Sequence, residues 1–211
     1  ITYQQGTSLV LNSFCGVTVN AAVGVMNQVR SAVYSFVGNL QLAANPQIIK
    51  TYSRSEFGDF YSLISLTSRL SFFLMLVFTI PMLLNIDYIL QVWLKVVPMY
   101  SSEFCKLILI YCLIDSLSGP LWISIQASGR IKYYQICVSI CLLMNLPLSY
   151  LALYKGFPPS SVYIIQIAIC LFAQIVRIGF AHKYVNLDLL FYFREIILRI
   201  LVVTILSSIL P

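Results

Sequence analysis

The sequence predicts an all-α fold, a polytopic transmembrane helical bundle, and three observations carry that reading. Of 211 residues, 60% are hydrophobic and only 9% are charged, whereas a soluble domain carries about 25% charged residues. Mean hydropathy is +0.89, so lipid must be the solvent for most of the exterior. The apolar residues also fall in long runs separated by short polar turns, and a helix needs about 20 of them to cross a bilayer.

The elements follow in order. Residues 1–14 read as the end of a span. Gly16 opens a break, and a second helix covers about 17–49. Its small residues Ala21, Ala22, Gly24, Ser31, Ala32, Ser35 and Gly38 recur on roughly helical spacing. Small residues let transmembrane backbones approach closely, which predicts a helix packed inside the bundle. Asn45-Pro46 marks its final turns, because proline restricts the residue before it. Residues 50–59 are polar and form a loop.

A third helix is expected over 60–85, with a kink at Pro81. Residues 86–102 mix Asp87, Trp93, Lys95 and Pro98 and suit an interfacial connection with an aromatic anchor. The fourth helix covers 103–128 and is interrupted at Gly119-Pro120; a tight basic turn follows at 129–132. The fifth, 133–154, is charge-free and contains Pro147. A sixth spans 160–181, and a seventh begins near 188 and is still running at 211.

The chain reads as a fragment. It begins at Ile1 rather than Met, and the apolar run from Ile200 to Pro211 holds 12 residues, too few to span a bilayer. Alternate loops gather Lys50, Arg54, Arg130, Lys132, Lys183 and Arg194 on one side, against Lys95, Lys106 and Lys155 on the other. The positive-inside rule places the first set in the cytoplasm. This also accounts for the net charge of +6. Basic residues scattered singly between apolar runs offer no stripe for a phosphate backbone, so nucleic acid is not an expected partner. The 6 cysteines sit in apolar stretches without CxxC or His-partnered spacing, and His182 is the one histidine. Neither disulfides nor a metal site is expected.

Ionisable groups inside spans are costly and mark functional sites. Arg30 lies about 13 residues into the second helix and Asp115 about 12 into the fourth, which puts both near mid-membrane at similar depth. They share a polar cavity, pair directly, or are satisfied separately by other polar groups. Arg69 is shallower than the centre and within reach of the interface. Arg177, Arg194 and Arg199 fall near cytoplasmic helix ends, where snorkelling or contact with anionic headgroups is the expectation. Gln28, Asn39, Gln41, Asn45 and Gln47 add polarity along the second helix, as expected of a helix facing protein or water. No Ser/His/Asp grouping, paired carboxylates or phosphate loop is present, so no enzymatic activity and no cofactor are expected.

The run Cys15-Gly16-Val17-Thr18-Val19-Asn20-Ala21-Ala22-Val23-Gly24-Val25-Met26-Asn27-Gln28-Val29 resembles the start of the second half of Wzx-type polysaccharide flippases. These belong to the multidrug/oligosaccharidyl-lipid/polysaccharide exporter superfamily. The likeness continues at Phe36-Val37-Gly38-Asn39-Leu40-Gln41, Asn45-Pro46-Gln47-Ile48, Leu113-Ile114-Asp115-Ser116-Leu117-Ser118-Gly119-Pro120 and Asn145-Leu146-Pro147-Leu148-Ser149-Tyr150. It implies one lobe of a MATE-like two-lobe transporter, from the end of its seventh helix to the start of its thirteenth, around a central cavity. It further implies a multi-pass protein of the bacterial inner membrane that moves an undecaprenyl-pyrophosphate-linked oligosaccharide to the outer leaflet by alternating access. Its partners would be that lipid-linked substrate, membrane lipids and polysaccharide-assembly proteins. Arg30 then becomes the cation that meets the pyrophosphate, with Arg69 second. Asp115, Gln28, Asn39 and Gln41 join them as cavity residues.

Two other functions fit the composition less well. An ion-coupled multidrug or small-molecule antiporter of the same superfamily would use Asp115 for coupling, but a cavity for organic cations should lean acidic, and this one leans basic. A membrane-embedded glycan polymerase or transferase would need a sizeable extramembrane loop with acid or base residues. The longest connection expected here is about 17 residues, which leaves no room for such a loop.

Overall fold

A computed structural model of the chain describes residues 2–209; Ile1, Leu210 and Pro211, at the outer limits of the first and last expected helices, lie outside it. The described residues form helices joined by short turns, with no strand among them. Helix α1 runs over Thr2–Ser53, and Gly16 inside it stands at φ 77°, ψ −172°. Only a residue without a Cβ adopts that conformation readily, so the run is two helices meeting at a kink.

Helix α2 covers Phe57–Trp93 as two helices that meet at a kink at Asn85, the expected end of the third helix; the second of them takes in much of the stretch read as an interfacial connection. Proline bends a helix without having to end it when a nearby group re-satisfies the backbone. Here Asn85 takes a non-helical φ of −118°, and its side-chain amide donates to the Pro81 carbonyl at 3.2 Å.

Helices α3 (Ser101–Asp115) and α4 (Ser118–Ala127) divide at Ser116 and Leu117. The break precedes Gly119-Pro120, so Pro120 falls in the first turn of α4, where its missing N–H leaves no bond unmade. Helices α5 (Lys132–Leu143) and α6 (Asn145–Tyr154) divide at Met144, with Pro147 likewise in a first turn. Helix α7 covers Ser161–Val185 and ends at Asn186 in the left-handed conformation. A short α8 (Leu189–Tyr192), a π-helical turn (Phe193–Leu198) and α9 (Arg199–Ile209) complete the described chain.

Among the described residues, four helical runs are long and apolar enough to cross a membrane: Phe57–Trp93, Ser101–Ala127, Lys132–Tyr154 and Ser161–Val185. Helix α1, broken at Gly16, is longer than any of them. It packs on α2, α3, α4 and α6, while α7 packs on α3, α4, α5 and α6.

Two apolar cores result. One gathers Val23, Val29, Val37, Met75, Ile86, Phe104, Ile108, Cys112 and Tyr163. The other gathers Ile48, Phe60, Ile64, Phe72, Leu121, Tyr134, Ala181 and Ile196. Between them, along α1, α2, α3, α4 and α7, lie Gln41, Ser71, Ser116, Ser118, Gln174 and Arg177, all buried. The lobe is therefore apolar above and below a polar layer.

Candidate functional site

The site begins with the outward face of α1. Gly24, Asn27, Gln28, Ser31, Ser35 and Asn39 are exposed, while Val29, Val33 and Val37 on the other side are buried. Spacings of three and four put the polar set on one stripe. Side chains of that kind would lose hydrogen bonds in hydrocarbon, so the stripe is a wall facing water or protein. Along it runs an open groove of about 390 Å³ bordered by Arg30, Ser31, Tyr34, Ser35, Gly38 and Asn39.

From this wall two contacts cross to α3. The Arg30 guanidinium carbon stands 5.2 Å from the centre of the Tyr111 ring, within cation–π range. One turn further on, the Tyr34 hydroxyl donates to Asp115 Oδ2 at 3.1 Å. Arg30 and Tyr34 are four residues apart on α1, as Tyr111 and Asp115 are on α3, so the two contacts form successive rungs. The ion pairs among the described residues do not include Arg30 with Asp115; each engages the other's neighbour instead. Arg30 also borders a small crevice with Thr7, Ser8, Asn27 and Gln166.

Behind Asp115 the polar chain continues inward. Ser118 donates to Asp115 Oδ1 at 2.9 Å. The same hydroxyl accepts from Gln174 Nε2 at 2.8 Å and from Arg177 Nη1 at 2.8 Å. One donor and two lone pairs are all a serine hydroxyl has, so Ser118 is saturated. Arg177 Nε and Gln174 Oε1 are buried without a hydrogen-bond partner.

The break between α3 and α4 is held from both sides. Gln174 Nε2 also donates to the Ile114 carbonyl at 2.8 Å. Gln41 Nε2 donates to the Ser116 carbonyl at 2.9 Å and to Ser71 Oγ at 3.2 Å. Carbonyls released by a helix break need such partners when no water can reach them. Gly119 makes room for this: a Cβ there would run into the Gln41 side-chain amide.

The sequence-derived residues thus separate into three places. Arg30, Gln28 and Asn39 lie on the outward stripe of α1, with Asp115 one hydrogen bond behind it. Gln41 faces the interior, 9% exposed, and braces the helix break. Arg69 lies away from both. Its Nε reaches the Ser65 carbonyl at 3.4 Å, and its Nη1 stands 4.0 Å from Glu195 Oε2 in the π-helical turn.

Arg177 corrects the sequence reading. Expected to snorkel at a helix end, it is 7% exposed and aimed into the polar layer. A signal was present in the stripe Gln166, Cys170, Ala173, Gln174, Arg177 and Ala181, all buried on α7. Small and polar residues on helical spacing mark a face packed against protein.

Chemically the layer can position cations, a carboxylate and amide donors. The described cysteines are free thiols, and no group of three metal-ligand side chains forms among the described residues. One protein-family model, MatE, matches residues 2–151 of the chain. No curated protein and no solved structure matches it. The match takes in α1 to α5 and nearly all of α6, including the stripe, both rungs and the braced break, and members of that family are transporters rather than enzymes. By this match and by its fold, the chain belongs to the MatE family of polytopic membrane transporters.

Proposed function

We propose that the chain is part of a flippase that carries an undecaprenyl-pyrophosphate-linked oligosaccharide across the bacterial inner membrane by alternating access. The observation that carries this reading is Arg30 on a polar, groove-bordering stripe of α1. A pyrophosphate cannot cross about 30 Å of hydrocarbon unaided. A guanidinium offers it paired N–H donors, and Gln28, Ser31 and Asn39 offer sugar hydroxyls hydrogen bonds along the same wall. The polyprenyl tail stays in lipid while the head group follows the stripe.

An ion-coupled antiporter is the second reading, favoured by the Asp115 carboxylate at mid-depth. Yet Arg30 and Arg177 both act on its surroundings, one through Tyr34 and the other through Ser118. A carboxylate so compensated is a poor trap for a second cation. That balance favours an anionic cargo.

The test is complementation. The full-length gene product, expressed in a flippase-deleted bacterium that makes a compatible lipid-linked precursor, is expected to restore surface polysaccharide. Arg30→Ala, inserted at normal levels, is expected not to. Failure of the parent protein despite correct insertion would shift the assignment to the antiporter, whose own signature is Asp115-dependent, ion-driven efflux from vesicles.

A further inference from the structure

Away from the α1 stripe, between α2 and the C-terminal helices, two cavities meet at one side chain. The first, about 470 Å³, is the more polar of the two: Ser62, Ser65, Asn186, Asp188 and Glu195 border it together with Arg69, alongside Tyr61 and Phe191. The second, about 590 Å³, is an apolar groove bordered by Leu66, Leu70, Phe73, Leu198 and Val202, again with Arg69. Arg199 stands at the same waist and belongs to the second cavity. On the positive-inside reading, the polar cavity lies towards the cytoplasmic end of α2 and the groove towards mid-membrane.

The charges along this cleft come in a fixed order. At the waist stand two guanidinium groups and one carboxylate, with Glu195 Oε2 held by Arg199 at 2.7 Å and by Arg69 at 4.0 Å. The waist is therefore net positive. Beyond it, at the polar end, Asp188 adds a negative charge at the start of α8. Ser65, 3% exposed and bordering the polar cavity, keeps a hydroxyl with no hydrogen-bond partner.

We infer that this cleft is a binding site for a phosphoethanolamine-headed phospholipid of the cytoplasmic leaflet. Reading from the bilayer centre outward, the cleft runs apolar, cationic, anionic. Such a lipid runs acyl chain, phosphate, ammonium, so each part meets its complement. Arg69 and Arg199 receive the phosphate, for which the guanidinium fork is suited. The ammonium meets Asp188, and its N–H groups have the Ser62, Ser65 and Asn186 oxygens to donate to. A quaternary ammonium has no N–H to give, and an anionic glycerol headgroup brings no cation for Asp188. The site is separate from the α1 stripe, so it stands or falls independently of the transported cargo.

The experiment uses the full-length protein in detergent, titrated with phosphatidylethanolamine, phosphatidylcholine or phosphatidylglycerol and read by native mass spectrometry. Selective retention of phosphatidylethanolamine is expected. Arg69→Gln should weaken it about fivefold, the effect of one cation near a lipid headgroup. Asp188→Asn should abolish the preference over phosphatidylglycerol; asparagine still caps α8, so this variant reports on charge rather than folding even if Arg69→Gln fails to insert. Equal retention of all three lipids, preference for phosphatidylglycerol, or no retention because another part of the chain fills the groove would each overturn the assignment. So would a preference over phosphatidylglycerol that survives Asp188→Asn.

Discussion

Arg177 and Asp115 are joined through a single hydroxyl, that of Ser118, which donates to one and accepts from the other. A buried cation and a half-buried anion on different helices are thus held at one remove, and Tyr34 steadies the carboxylate from the opposite side.

Removing one member should leave the other's charge unmatched. Arg177→Gln or Asp115→Asn alone is expected to destabilise the lobe by roughly 1–3 kcal/mol, the cost of leaving a buried polar group without its partner. The double variant should recover a large part of that loss. Unfolding of the purified full-length protein and its single and double variants measures the coupling. Additive losses would mean that the two charges do not sense each other.

Tyr34→Phe removes one hydrogen bond to a carboxylate and keeps the ring. The expected loss is about 1–2 kcal/mol, and it should shrink in an Asp115→Asn background. The same unfolding series checks this, with no change in Tyr34→Phe counting against the rung.

Gly119→Ala should displace the Gln41 side chain and expose the Ser116 carbonyl to apolar surroundings. A loss of about 1–3 kcal/mol follows from overpacking and a broken bond. Adding Gln41→Ala removes the clash, so the double variant should be no worse than Gln41→Ala alone. If Gly119→Ala is neutral by itself, the close approach is not a constraint.

Cysteines placed on the α1 stripe, at Gln28, Ser35 or Asn39, should react with a membrane-impermeant thiol reagent in a background lacking Cys137 and Cys141. A cysteine at Ile136, exposed on α5, should stay unlabelled because it faces lipid. Labelling of Ile136→Cys together with protection of the stripe would reverse the assignment of faces.

How much of this was legible beforehand follows from particular residues. Arg30 and Asp115 stand out because a charge in a span is costly wherever it points. Arg177 does not, because depth was counted to an expected helix end at 181, only 4 residues on, whereas α7 runs to Val185, 8 residues on. Gln41 sits two positions beyond Asn39, about 200° around the helix, so one belongs to the wall and the other to the interior. Composition cannot separate them without knowing which face α3 and α4 cover. Ser118 looks unremarkable in sequence, since its part depends on three helices arriving at one oxygen.

The polar layer also has a mechanical meaning. It lies where α3 gives way to α4. Two greasy blocks meet there across a seam of side-chain hydrogen bonds. Exchanging such bonds costs far less than shearing an apolar interface apart, so the lobe is built to flex at its waist.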